Sequence, residues 1–279
     1  MNKISKLLPM TNIIPIFRKR QPRFLTPSWL LLSLLTLGLT SSLHSVQAAT
    51  PQAPPAELNN LLTQIDTAAN KGNAQAVLQF YSPNFTNGDG LNRTNLEKAL
   101  VTLWKQYPQL RYTTKLQSWK AEGNAIIAET VTNISSAPST NANNLALNAT
   151  ITSRQRIAGG KIVSQDILGE RTLITRGNQP PQLDVKLPQQ VKVGQQYSFD
   201  AIVKEPLGED FLLGAATEEP VKIEKYLNPA PLDLQLLTSG GIFKVGRAPA
   251  TPGNHWISAV IVRGEGITMV SQRLRVVKN

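Results

Sequence analysis

The 279-residue chain has few side chains suited to covalent or metal chemistry: no cysteine, and two histidines, His44 and His255. Without Cys there are no disulfides, thiolate zinc sites, iron–sulfur clusters or thiol nucleophiles. A Ser–His–acid triad would have to use His255, which stands beside Trp256 at a turn and reads as a packing or surface residue. Nucleophile elbows, zinc helices, phosphate loops and dinucleotide fingerprints are absent. Gly264-Glu265-Gly266 lacks a third glycine and reads as a hairpin turn. Asn87-Gly88-Asp89-Gly90 has the flavour of a calcium loop, but alternating acidic ligands and a distal bidentate Glu are missing, so it reads as a tight turn. The concentration is aromatic: Phe80, Tyr81, Phe85, Trp104, Tyr107 and Tyr112 are near one another in sequence, followed by Trp119. Such a set builds a core or lines a pocket for a hydrophobic small molecule. No metal or cofactor site is expected.

The elements that would position these residues follow from periodicity. Leu58, Leu61, Leu62, Ile65 and Ala69 recur at three and four, the apolar stripe of a helix, and Lys71-Gly72-Asn73 ends it. A short second helix is expected over Ala74–Tyr81, with Asn73 as its cap and Pro83 as its stop. Thr94 and Glu97 have the spacing of a capping box for a third helix ending near Gln106. Beyond Pro108 the texture turns to alternation: Leu110–Gln117, Ala125–Ser135, Leu147–Arg156 and Lys161–Thr175 read as strands. A Ser/Thr/Asn-rich hairpin loop over 135–144 and a Gly159-Gly160 turn separate them, and a bulge is expected near Gln165–Ile167. After Gly177-Asn178-Gln179-Pro180-Pro181, a second linker, eight short β runs follow, among them Val221–Tyr226, and Trp256 is expected to fill their core.

Three helices and then four antiparallel strands make an α+β layer. Residues 56–176 resemble the nuclear transport factor 2-like (SnoaL-like) superfamily. The resemblance is carried by the Leu58–Ala69 helix, Ala76-Val-Leu-Gln-Phe-Tyr-Ser-Pro83, Phe85, Asp89-Gly90, the Leu96–Trp104 helix and the strands closing on Gly169-Glu170-Arg171. It implies a cone-shaped domain, three helices on a curved antiparallel sheet, with an apolar pocket lined by Phe80, Tyr81, Phe85, Trp104, Tyr107 and Tyr112, and homodimers formed through the sheet. Enzymes of that superfamily place a carboxylate base in the cone, often with His or Tyr. With no His in this stretch, the resemblance leaves Glu129 and Asp166 as weak catalytic candidates and Tyr81, Tyr107 and Tyr112 as donors. Ion pairs with Lys120, Arg154 or Arg156 are the alternative reading of both carboxylates, and for Asp166 a hydrogen bond to a bulge amide is another. Residues 182–279 resemble a bacterial immunoglobulin-like β-sandwich, on Pro252-Gly-Asn-His-Trp-Ile257 and the strand spacing. The expected division is a leader over 1–48, linkers at 49–55 and 177–181, and domains at 56–176 and 182–279.

The charge, 29 Lys and Arg against 18 Asp and Glu, is uneven. Residues 1–49 hold six basic residues and no acid, so 23 basic and 18 acidic residues remain beyond them, a net +5. No basic stripe suits nucleic acid. Basic residues through Arg23, the apolar run Trp29–Leu39 and small Val46 and Ala48 form an export signal with cleavage after Ala48. The protein is therefore expected to be exported, to a periplasm, the exterior or a thylakoid lumen, with the membrane involved only through an uncleaved leader. Three roles are compatible with these features. The leading one is a non-catalytic protein that binds a small apolar ligand or a protein partner through the cone, with the β-sandwich offering a second partner surface. The others are a cofactor-independent acid–base enzyme of isomerase, dehydratase or cyclase type, and a structural assembly factor of the envelope or lumen.

Overall fold

A computed structural model describes residues 53–136, 145–224 and 233–278. The expected leader and the tip of the 135–144 loop lie outside these. Helix α1 spans Ala56–Asn70, and its buried stripe Leu58, Leu61, Leu62, Ala68 and Ala69 matches the periodicity. Gly72, at φ 62°, makes the left-handed turn after it. The Asn73 side chain then accepts from the Ala76 amide to cap α2, Ala74–Leu78. Helix α3 runs from Arg93 to Gln106, and its cap is Asn92, whose side chain accepts from the Asn95 amide. The Thr94–Glu97 box does not form: Glu97 instead accepts from the Gln75 side chain of α2.

The segment after α2 departs from expectation. It is strand β1, Tyr81–Asn87, parallel to β5 with an irregular register between Tyr81 and Thr86. That irregularity accommodates Pro83, which has no amide to donate. Strands β2 (Arg111–Glu122), β3 (Ala125–Ser135), β4 (Ala146–Ala158) and β5 (Lys161–Arg176) form the expected antiparallel meander. Its register slips between Thr152 and Ser153 and between Arg156 and Ile157, leaving Leu168 and Val163 of β5 outside the ladder.

The second half is built from β6 (Leu183–Lys186), β7 (Gln190–Lys192), β8 (Gln196–Val203), β9 (Leu212–Pro220), β10 (Gln235–Leu237), β11 (Gly241–Arg247), β12 (Gly253–Arg263) and β13 (Gly266–Val277). It is not the self-contained Ig-like sandwich expected. Only β11, β8 and β6 form a separate sheet; β10, β9, β12 and β13 join β5, β4, β3 and β2 in one ten-stranded sheet, with β1 and β7 paired alongside. The joining ladder is β13 on β5, from Ile267 opposite Arg176 to Gln272 opposite Arg171. The 177–181 segment is correspondingly fixed. A Cβ on Gly177 would lie 2.1 Å from the Glu265 carbonyl oxygen, and one on Gly266 would lie 2.1 Å from that of Gln179. Val221–Tyr226 is not a strand in its described part: residues 223–224 are helical.

Strand parity explains the layering. Ile174 of β5 packs with Leu147, Ala149 and the α1 leucines, whereas its neighbour Leu173 packs with Val270 and Leu274 of β13 and with Phe199 of β8. The helices therefore cover one face of the large sheet at the β2–β5 end. The three-stranded sheet covers the opposite face at the β9–β13 end. Edge strand β2 is covered by α1. Asn70 Oδ1 accepts from the Tyr112 amide at 2.6 Å, and Asp66 accepts from the Thr114 amide at 2.6 Å and its hydroxyl at 2.7 Å. Asp66 and Asn70 are four apart and so share a helix face.

Candidate functional site

The expected pocket aromatics do come together, as core. Tyr81, Phe85, Tyr107 and Tyr112 are buried, with Phe80 and Trp104 half-buried against them. Tyr81 and Phe85 meet edge to face at 4.9 Å between ring centroids. Trp104 and Tyr112 do the same at 6.3 Å, and the indole Nε1 donates to the Tyr112 hydroxyl at 2.9 Å. Burial, together with the Asp66 charge, pushes the Tyr81 hydroxyl up to about 12. Burial also pushes Tyr112 up to about 12, partly offset by the Trp104 hydrogen bond, and raises Tyr107. Burial thus keeps these phenols protonated, with the Tyr112 and Tyr107 hydroxyls accepting from Trp104 and Gln106.

The two carboxylate candidates lie on the sheet face away from these aromatics. Buried Ala128 and Thr130 face the helices, so Glu129 between them faces outward. It accepts from Arg154 Nε at 3.1 Å and Nη2 at 2.8 Å, in a half-exposed pair. Asp166 is directly opposite Arg154 on the next strand, and is exposed. Arg154 thus sits in the ladder between both candidates, and with Glu129 it forms the ion pair of the alternative reading. A Cβ on Gly88 would approach Asp166 Oδ1 to 2.5 Å, so glycine there leaves room for that carboxylate.

The buried charges are elsewhere, where β1 and β13 meet along one side of β5. Arg273 of β13 has a side chain 0% exposed and that of its partner Asp89 is 3% exposed. Both bonds of this bidentate pair, Nη1 to Oδ1 and Nη2 to Oδ2, are 2.8 Å. Arg273 Nη2 also donates to Glu170 Oε2 at 2.9 Å, and Trp256 Nε1 donates to the same oxygen at 3.0 Å. Asn254 reaches Asp89 Oδ1 at 3.4 Å. The Asn87–Gly90 turn positions Asp89, whose amide is held by Asn87 Oδ1 at 2.7 Å. The turn reading of Asn87–Gly90 is therefore incomplete: it also delivers a carboxylate across the seam. Trp256 does not fill the second core; parity places Ile257, Ala259 and Ile261 there and turns Trp256 toward Glu170.

Sequence reasoning missed Arg273 and Glu170: Arg273 alternates with Ser271 and Arg275 opposite the apolar Val270, Leu274 and Val276, so it reads as one more solvent-facing residue of the strand. One residue along β12 from Trp256, His255 Nδ1 is 3.3 Å from Glu218, whose second oxygen accepts from the Tyr197 hydroxyl at 2.7 Å. Burial and the Glu218 carboxylate raise the Tyr197 hydroxyl. This cluster links β8, β9 and β12 across the two sheets.

Among the described residues no group of three or more His, Asp or Glu is placed to hold a metal ion. A groove of about 1130 Å³ runs along the joint between Arg171, Leu173, the 178–182 segment, Lys204, Glu205 and Arg263. Its charges are mixed, and several are engaged: Glu205 accepts from the Gln182 amide, and Arg263 Nε donates to Asp210 at 2.8 Å.

Residues 178–277 match a family described as a domain of unknown function, DUF8623. No curated protein matches the sequence. Similar solved structures each cover part of the chain. AclR of Streptomyces galilaeus, a proposed hydroxylase, is 16% identical over 44% of this chain and 90% of its own, with TM-score 0.31. An epoxide hydrolase of the LEH-like kind from M. tuberculosis is 12% identical over 40% and 80%, with TM-score 0.29. A protein of ketosteroid isomerase-like fold from Catenulispora acidiphila, solved with trimethylamine, is 14% identical over 38% and 82%, with TM-score 0.29. At such scores these neighbours assign no activity to this chain.

Proposed function

We propose that this is an exported, non-catalytic protein whose two halves form one rigid support for contact with another protein, the assembly reading of the sequence. The observation that supports it most is the fate of the polar groups. The charges buried deepest, Arg273 and Asp89, bind each other across the seam, and Arg273 binds Glu170 as well. The phenols that a carboxylate base would need nearby face the helices, while Glu129 faces outward with Arg154. A buried base aimed at a donor, the arrangement acid–base chemistry calls for, is not formed among the described residues by either candidate. The six aromatics belong to one hydrophobic core cluster, four of them buried, which supports this reading over an open pocket.

Ligand titration of the processed protein tests this. Apolar probes, an anilinonaphthalene dye and a steroid, are expected to leave its melting temperature and tryptophan emission unchanged. Saturable binding tighter than ~1 mM, lost in Tyr112→Phe, would replace this reading with the ligand pocket. Export is tested separately: N-terminal sequencing of secreted material is expected to begin at Ala49.

A further inference from the structure

The large sheet and the small one treat their edges differently. On β2 the outward amides of Tyr112 and Thr114 are taken up by Asn70 and Asp66. The opposite edge strand, β10, has only three residues. Strand β11 has seven and is a terminal strand of its sheet, with β8 its one partner among the described residues. Its hydrogen-bond phase can be read from the ladder's ends. The Val203 amide donates to Gly240, and the Ala248 amide donates to Gln195. In an antiparallel ladder alternate residues bond to the same neighbour, so Ile242, Lys244 and Gly246 also face β8. Phe243, Val245 and Arg247 therefore turn their amides and carbonyls outward, away from β8. Their side chains share one face, where Phe243 is 54% and Val245 67% exposed. A long edge with apolar side chains and unblocked main-chain groups is a template for another strand.

We propose that β11 is the seat of a second copy of this chain, paired antiparallel to itself about Val245 to give one six-stranded sheet from two three-stranded ones. The register follows from charge. With Val245 opposite Val245 of the second copy, every outward residue meets an outward residue. Phe243 then lies opposite Arg247 of the second copy, a cation–π pair. Lys244 lies opposite Gly246. Behind Phe243, on the same face of β8, is Asp200, directly opposite it in the ladder. An Arg247 guanidinium arriving over the Phe243 ring thus approaches a carboxylate. Sliding the pairing by one step about Lys244 would set the two lysines face to face, which is disfavoured. This interface is separate from the sheet-mediated dimer that the sequence resemblance implies, and it stands whether or not the protein binds a small molecule.

Sedimentation of the purified chain at up to ~0.1 mM tests it, with Val245→Asp and Val245→Lys. The unmodified chain is expected to dimerise. Each variant alone is expected to associate at least ~10-fold more weakly, and an equal mixture of the two to dimerise again. The melting temperature should be retained, because Val245 is exposed. Since the chain has no native Cys, Val245→Cys gives a second readout. A hydrogen-bonded pair sets Cα atoms about 5.5 Å apart, within disulfide reach, so oxidation is expected to yield a crosslinked dimer. A monomer at the highest concentration, a dimer indifferent to both charges, failure of the mixture to recover, or a Val245→Cys variant that never crosslinks would each overturn the proposal. So would an edge that takes up only a foreign extended peptide.

Discussion

Arg273 is the residue on which the joint depends. Its fully buried guanidinium pairs with two carboxylates brought from distant parts of the chain, Asp89 and Glu170. Removing one member of a buried pair leaves the others charged and unpaired. Arg273→Met is therefore expected to cost about 3–5 kcal/mol in urea unfolding, while Arg154→Met, on the half-exposed Glu129 pair, should stay within about 1 kcal/mol. A smaller difference between the two variants would mean that the seam is held by its ladder alone. The tyrosines supply a pH signature. The hydroxyls of Tyr81 and Tyr112 rise from the ordinary value of 10.0 to about 12 on folding. The unfolded chain thus ionises first, so their contribution is complete below pH 10 and is lost as pH rises through about 12. Melting temperatures measured across that window should fall, together with delayed phenolate absorbance in the native state.

Secondary structure was legible wherever periodicity was strong and local. The α1 stripe, the Asn73 cap and the four-strand meander needed nothing beyond spacing. Strand β1 was hidden because Tyr81-Ser-Pro-Asn-Phe-Thr-Asn87 does not alternate cleanly and carries a proline; only its parallel partner makes it a strand. The α3 cap was misplaced by two residues because Asn92 and Thr94 are both good caps, and the side chain of Gln75 took Glu97 away from the Thr94 box. The covering of β2 by α1 was also unreadable. Asp66 and Asn70 look like ordinary solvent-facing helix residues until the edge amides are placed beside them. That cover predicts a local effect. Asp66→Ala should expose the Thr114 amide to hydrogen exchange and cost about 1–3 kcal/mol, and Asn70→Ala should do the same at Tyr112. Unchanged protection at both amides would remove the edge-covering role.

Across the whole molecule, composition suggested a flexible connection where there is a rigid one. The 177–181 run, rich in Gly, Asn and Pro, has the look of a linker, and nothing in its own residues announces that β13 will return to pair with β5. With β5 shared, both halves are expected to unfold in a single calorimetric transition whose calorimetric and van't Hoff enthalpies agree. Two separated transitions would show that each half stands alone. Gly266→Ala, which would drive a methyl group into the Gln179 carbonyl, should lower stability by more than about 1 kcal/mol; preserved stability would mean that the strap yields easily.

The pairing of Asp89 with a side chain 184 positions later has a temporal meaning. During synthesis at ~5–20 residues per second, that carboxylate waits roughly 10–40 s for its counter-ion. Once β5 is complete at Arg176, the nascent polypeptide holds an unsealed acidic cleft beside an open β5 margin for roughly the last 5–20 s of that interval. A holdase with affinity for bare strands would have a client for just as long.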